Sequence, residues 1–322
     1  MPDMKPFPLN DKPIRLAMLG MVDGNGHPYS WSAIINGYRR ELMKDCPYPG
    51  ILTYLFREPA SAFGIPGVQV THIWTDDPAD AEKVAAASCV PEVCAHPEDV
   101  IGKVDAVIVA TDKGFEHVAR CRPFVEAGLP IFVDKPMVDN LEDLRVFCRW
   151  VDKGAVILST SCMRYAKEYA PYRLSTHDLG SLRYLNITMA KSWERYGIHA
   201  LEALYPIVGP GFVAVRNVGE VGRDIVVMEH ECGAMLSAAV IGDMSGGFGH
   251  MLLAGTEGSV SVKMSDTFYC FRAQLAAFVN YLRTGDRPFP FDETVELMKL
   301  LIAGIISRKE HGRRILLDDL TI

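Results

Sequence analysis

Short, continuously apolar runs alternate with amphipathic stretches through the first half of the chain. Ile14 to Leu19, Gly67 to Trp74, Asp105 to Ala110, the run ending at Ile131–Val133, and Ala155 to Leu158 read as strands, being nearly all apolar and bounded by turn residues. Between them Trp31 to Met43, Ala79 to Ser88, Gly114 to Glu126 and Leu141 to Val151 carry helical spacing, and Asp77-Pro78 offers an acidic cap and a first-turn proline. Strands separated by helices of this length predict a parallel, doubly wound sheet with right-handed crossovers. Asp45 to Pro66 departs from the scheme: rich in Pro, Gly and aromatics, it reads as a long loop, either a lid or partner contact, or an insertion.

From Gly180 the pattern changes. Ser181 to Met189, Asp224 to His230 and Ala234 to Ile241 show period-two alternation between Gly-rich turns, which predicts a mostly antiparallel open β-sheet. Two amphipathic helices, Phe271 to Arg283 and Glu293 to Lys309, are suited to pack against it. The expected fold class is α/β plus α+β, with an N-terminal parallel, doubly wound domain at 1–160 and a second domain at 161–322.

Composition narrows the class. With 322 residues, 49% of them hydrophobic, the chain can bury two cores, and a net charge of −7 without a basic run argues against nucleic acid or an anionic membrane as partner. Residues 1–13 contain no apolar leader core and no segment reads as a membrane span, so a cytoplasmic location is expected. The eight cysteines read as reduced thiols; Cys89, Cys94 and His96 match no common zinc spacing, and no metal is expected.

Candidate chemistry gathers at strand ends. Gly20, Gly24, Asn25, Gly26 and His27 form a glycine-bearing turn between the first strand and first helix, where backbone N–H groups and a helix N-terminus can meet a pyrophosphate. The spacing is not a regular G-x-G-x-x-G, so position carries the assignment. The second strand ends at Thr75 and Asp76, either of which stands where a dinucleotide fold reads the adenosine ribose; a carboxylate there favours NAD over NADP. Thr111 and His117 flank the end of the strand that closes at Ala110, with a cap and a surface histidine as the alternative. Asp134, Lys135 and Pro136 end a buried strand and deliver a lysine to the sheet edge, where open α/β sheets bind ligands.

These motifs, together with Gly197-Ile198-His199-Ala200-Leu201-Glu202, occur in an order that resembles the glucose-fructose oxidoreductase/inositol dehydrogenase (Gfo/Idh/MocA) family over nearly the whole chain, most firmly from Val104 to Met137. The resemblance implies an N-terminal Rossmann dinucleotide-binding domain, a second domain for substrate binding and oligomerisation, and an NAD(P)-dependent dehydrogenase or reductase in which Lys135 and His199 meet over the nicotinamide. Arg164, Tyr165, Lys191, Trp193, Glu194, Arg195 and Tyr196 then become candidates to line the substrate pocket. Two positions depart from the family pattern. Arg195 stands where the family often has Asp, which points to an acidic or otherwise unusual substrate; Asp112 stands where Pro is usual, which bears on the local turn.

The expected reaction moves hydride between nicotinamide and a hydroxyl or carbonyl of a sugar, sugar acid or cyclitol. His199 is the candidate base and Lys135 the donor to the reacting oxygen, with burial and the cofactor's charge expected to lower the lysine pKa. Two alternatives stand beside it: tightly held, recycled NAD(H) supporting elimination or glycoside cleavage, and a non-catalytic dinucleotide-binding regulator. The open sheet face and the resemblance both lead to an expected homodimer or homotetramer.

Overall fold

The computed structural model describes residues 6, 7 and 12–322. Most of the stretch at 1–13 read for a leader lies outside the described residues. The first half runs β1 (Ile14–Leu19), α1 (His27–Asn36), α2 (Arg40–Met43), α3 (Pro49–Leu55), β2 (Val68–Trp74), α4 (Pro78–Ala87), β3 (Glu92–Val93), β4 (Ala106–Val109), α5 (His117–Glu126), β5 (Ile131–Val133), α6 (Leu141–Asp152) and β6 (Ile157–Ser159). All six strands pair in parallel in the order β3-β2-β1-β4-β5-β6. Strand order reverses between β1 and β4, and the crevice beyond their carboxyl ends is where such sheets bind ligands. Every residue of β4, β5 and β6 is buried, which explains their unbroken apolar character.

Local chemistry sets most of the helix starts. Asn140 caps α6 by accepting from Asp143 N at 2.9 Å, and Leu144, Phe147 and Val151 turn one stripe inward. Asp77 caps α4 through Ala79 N at 2.9 Å, as its sequence implied. The helix expected over Trp31–Met43 instead starts at His27, with Pro28 in its first turn, and stops at Gly37, whose φ of 88° no β-carbon favours; α2 then makes a separate turn.

The stretch 45–66 is not the long loop expected. Its prolines start helices rather than breaking them: α3 begins at Pro49, and Pro59 precedes a short 3₁₀ turn at Ala60–Ala62. Its aromatic side chains are packing groups, with Tyr54 Oη 2.5 Å from Ser30 Oγ on α1 and Phe63 edge-on to Phe268.

The second half runs α7 (Ala170–Leu174), β7 (Leu182–Ala190), α8 (Ile198–Val208), β8 (Phe212–Asn217), β9 (Arg223–His230), β10 (Met235–Ile241), β11 (His250–Gly255), β12 (Ser259–Lys263), α9 (Thr267–Thr284), α10 (Phe291–Lys309) and β13 (Ile315–Leu316). Its seven strands order as β12-β11-β7-β10-β9-β8-β13, antiparallel except for β7 with β10. Helices α8 and α10 pack against this sheet. On the other face Tyr184, Ile225 and Met235 are exposed; Tyr184 of β7 pairs directly with Met235 of β10, and Ile225 of β9 pairs with Ala239 further along β10.

Helix α9 begins earlier than its sequence spacing suggested because Asp266 caps it, accepting from Tyr269 N at 2.9 Å. It crosses back to the first sheet. Phe271 meets His27 and Trp31, and Phe278 packs on Phe132 of β5. Among the described residues no helix is long and apolar enough to cross a membrane, and no group of three His, Cys, Asp or Glu stands where it could hold a metal ion.

Candidate active site

The turn after β1 is shaped by backbone conformation. Gly20 has φ 87°, and a β-carbon built there would lie 2.7 Å from Thr111 Cγ2. Gly24 has φ 76° and faces the Arg195 guanidinium. At Gly26, which precedes α1, a β-carbon would meet Tyr48 and Ile51 within 2.6 Å, so this glycine serves the packing of the 45–66 segment. Helix α1 has no side-chain cap on Gly26; Asn25 Oδ1 takes the His27 N–H at 2.9 Å.

Asp76 leaves the end of β2 and is half-occupied by protein. Its carboxylate accepts from Met21 N at 3.0 Å and from Arg120 Nη2 at 2.7 Å, while Arg120 also holds Glu116. Thr75 is buried and its hydroxyl donates to Asp77 O, so Asp76 is the residue presented beyond the strand. Beside it, Leu19, Trp74, Pro97, Val109, Arg120 and Phe124 border a largely apolar cleft of about 240 Å³. His117 does not face the cleft as a free group. It is fully buried, with Nδ1 2.9 Å from Met137 O and Nε2 2.9 Å from Thr111 O, and it ties the end of β4 to the chain beyond Pro136.

Asp134 and Lys135 lie beneath this turn, both buried. Asp134 Oδ2 accepts from Asn25 Nδ2 at 3.0 Å and lies 2.6 Å from His27 Nδ1, while Oδ1 accepts from Lys135 N. The Lys135–Pro136 peptide bond is cis. Lys135 Nζ stands 3.6 Å from Asp112 Oδ2 and 4.9 Å from the centre of the Tyr196 ring. Burial presses the lysine pKa down, but the charges of Asp134 and Asp112 outweigh it and leave the amine above its ordinary value. The expected depression of Lys135 by burial is thereby reversed in the protein alone.

Asp112 is more than a turn residue. Its buried carboxylate accepts from Arg195 Nε at 3.0 Å and Nη2 at 2.6 and 2.8 Å, in addition to facing Lys135. Burial would raise its pKa; Lys135 and Arg195 overcome that and hold it below the ordinary carboxylate value. Arg195 also donates to Asp23 O in the glycine turn at 3.2 Å.

His199 and Glu202 are three apart on α8, hence on one face, and both grip the turn after β6. Ser161 Oγ lies 2.6 Å from His199 Nδ1 and accepts from Met163 N, while Ser161 N donates to Glu202 Oε1 at 3.1 Å. No hydrogen bond engages His199 Nε2 among the described residues. Burial first, then the charges of Lys135, His27 and Lys191, hold this imidazole well below its ordinary pKa. Tyr196 stands between the two candidates: its ring is 4.9 Å from both Lys135 Nζ and the His199 ring, with Phe248 5.9 Å from the latter.

The substrate candidates divide. Lys191, Arg195 and Tyr196 gather around Lys135 and His199, with Lys191 Nζ 2.5 Å from Tyr196 Oη. Trp193 does not: it is fully buried, donates to Leu301 O at 2.9 Å and anchors the π-turn Trp193–Gly197 to α10. Glu194 pairs with Arg308. Arg164 is sandwiched between Glu202 and Glu293 and over Phe289, and neighbouring Tyr165 has a buried hydroxyl, so this pair belongs to the interior. Ser161 and Phe248 were not among the residues singled out from sequence, and Asp112 was noted there only as a departure bearing on the local turn. Ser161 lies at the boundary expected between the two domains.

The turn fits a dinucleotide on its own terms. Gly20 and Gly24 take left-handed backbone, α1 starts without a side-chain cap, Asp76 follows the end of β2, and an apolar cleft borders Trp74 and Arg120, the features a dinucleotide site at the switch point requires. A parallel, Rossmann-type sheet of this order is thus joined to a second, mostly antiparallel sheet, and α8 brings His199 within electrostatic reach of the strand-end Lys135. Residues 53–161 match the GFO_IDH_MocA model, described as an oxidoreductase family with an NAD-binding Rossmann fold, which is the family the motifs resemble.

Solved structures agree over both halves. A probable dehydrogenase from Thermotoga maritima superposes with a TM-score of 0.74 at 15% identity, covering 96% of this chain and 100% of that one. Myo-inositol 2-dehydrogenase from Lactobacillus plantarum gives 0.74 at 14% identity, covering 95% and 99%. GenD2 from gentamicin A biosynthesis, solved in complex with NAD, gives 0.74 at 15%, covering 97% and 99%. At such identities the likeness is one of fold. No curated protein matches the chain in sequence.

Proposed function

We propose that this protein transfers hydride between a nicotinamide dinucleotide and a hydroxyl or carbonyl carbon of a sugar, sugar acid or cyclitol, with Lys135 and His199 as its catalytic residues. The observation that carries the reading is the shared environment of these two groups on either side of Tyr196, one charged and one neutral. A nicotinamide dinucleotide, when bound, supplies the hydride acceptor or donor. His199 is suited to take the hydroxyl proton: in the tautomer that donates Nδ1–H to Ser161, Nε2 keeps its lone pair. Lys135, charged, donates a hydrogen bond to the same oxygen and stabilises developing negative charge there. Lys191 and Tyr196 line the approach, and Arg195 closes it from the glycine turn.

NAD is favoured over NADP because the Asp76 carboxylate would repel a 2′-phosphate. A pair of opposed proton-transfer groups serves chemistry rather than sensing, which sets the regulatory alternative aside. The exposed Tyr184, Ile225 and Met235 face suits self-association into a dimer or tetramer.

The test is a screen of sugars, sugar acids and cyclitols with NAD and NADP, following reduced-nicotinamide absorbance. With the best substrate, Lys135→Ala should lower kcat by about 100-fold or more while dinucleotide binding is largely kept. Normal turnover in that variant would refute the assignment.

A further inference from the structure

The two positions that depart from the family pattern, Asp112 and Arg195, touch each other. Asp112 follows β4; Arg195 sits on the π-turn that precedes α8, on the other half of the molecule. Three hydrogen bonds of 2.6 to 3.0 Å join them, and the same carboxylate faces Lys135 Nζ at 3.6 Å. The side chains of Asp112 and Lys135 are each 2% exposed, whereas Arg195 is 30% exposed and reaches on to Asp23 O. A buried carboxylate with two cationic partners on opposite sides is therefore the joint between the glycine turn, the lysine and the second half.

We infer that Asp112 is a positioning residue for Lys135, and that Arg195 is the strap that keeps its carboxylate in place from across the cleft. The inference rests on the reading of Lys135 as proton donor. An unconstrained lysine has four rotatable carbon–carbon bonds; here the ammonium is held between Asp112 and the Tyr196 ring, so it meets a bound oxygen without searching. Opposite charge at this range also favours the ammonium form, which is the form able to donate. The groups facing Lys135 are Asp134 at the end of β5, Asp112 after β4, Tyr196 on the π-turn, Cys162 after β6 and His199 on α8. Of the two carboxylates, Asp134 is engaged by Asn25, His27 and its own neighbour's backbone, so Asp112 is the one aimed at the amine.

The experiment titrates Lys135 directly in the protein without substrate, by NMR of ¹³Cε-labelled lysine with the resonance assigned through Lys135→Arg. In the parent protein Lys135 should stay charged through the ordinary lysine range. Asp112→Asn should lower its midpoint by about 1–3 units, the effect expected from losing an opposite charge at this distance. Arg195→Gln, which removes a cation and leaves Asp112, should leave the midpoint in place or raise it. The alkaline limb of kcat/KM should follow the same order, a readout that a merely structural change would not sort by charge. An unmoved midpoint in Asp112→Asn, or an equal fall in Arg195→Gln, overturns the inference. Should Asp112→Asn not fold, Asp112→Glu and Arg195→Gln decide it: the midpoint should stay near the parent value or rise in both, and a fall of about 1 unit or more in either overturns the inference. Loss of turnover in Lys135→Ala bears on the proposed reaction and not on this titration, so the two can fail separately.

Discussion

Replacing Gly20 by alanine makes two demands on the turn after β1, and the structure lets them be separated. The backbone at φ 87° lies in the left-handed region, where a β-carbon costs about 1–2 kcal/mol. The added carbon would also lie 2.7 Å from Thr111 Cγ2. Thr111 is fully buried, and its Oγ1 lies 3.2 Å from the locked ring of His117, so it yields only by disturbing that strut. Overpacking of this kind costs about 1–3 kcal/mol. Together the two give about 2–5 kcal/mol, within the usual stability of a folded domain but a large part of it. Gly24→Ala is the control: φ is 76°, but the nearest atoms are the Arg195 guanidinium tips at 3.6 Å, so only the backbone cost of about 1–2 kcal/mol applies. Urea unfolding followed by tryptophan fluorescence, with dinucleotide titration of each variant, measures both. Gly20→Ala should be the less stable by about 1–3 kcal/mol and should bind cofactor more weakly. Equal stabilities, within about 0.5 kcal/mol, would show that contact with Thr111 does not shape the cradle.

Two further outcomes follow from burial. Because His199 is held well below its unfolded value near 6.5, its contribution to stability is fully present above that pH and is lost as pH falls below it. The unfolded chain takes up the proton first, with a limiting slope of about 1.4 kcal/mol per pH unit. His199→Asn should flatten the loss of urea resistance between neutral and mildly acidic pH; an unchanged slope would place the acid sensitivity elsewhere. Trp193→Ala should destabilise by about 3–5 kcal/mol, since the fully buried indole also donates to Leu301 O. It should lower turnover by displacing the π-turn; wild-type denaturation behaviour would return Trp193 to the list of pocket residues.

Much of the fold was legible because buried parallel strands leave uninterrupted apolar runs and capped helices leave Asp-Pro or Asn signatures, as at α4 and α6. The 45–66 segment was not, because its prolines sit where helices begin and its aromatics are satisfied only by α1 and α9, distant in sequence. In the site, the glycine turn and Lys135 were legible from position alone, as strand ends in an alternating pattern. The role of Trp193 was hidden because whether an indole lines a pocket or plugs a core depends on what faces it, here the backbone of α10. Asp112 and Arg195 looked like independent departures, since 83 residues separate them and only tertiary structure makes them neighbours.

Helix α9 carries a consequence for how the chain acquires its structure during synthesis. Phe132, in the middle of the first sheet, rests against Trp31 and Phe278. Phe278 is added 146 residues after Phe132 (278 − 132). At translation rates of about 5–20 residues per second, that interval is on the order of ten seconds or more. For most of that interval, once β6 (Ile157–Ser159) has been added, the sheet has all its strands but lacks one of its covering layers, and its apolar side stays open to whatever else in the cell binds such surfaces. The half that emerges first is completed only by a helix from the half that emerges last.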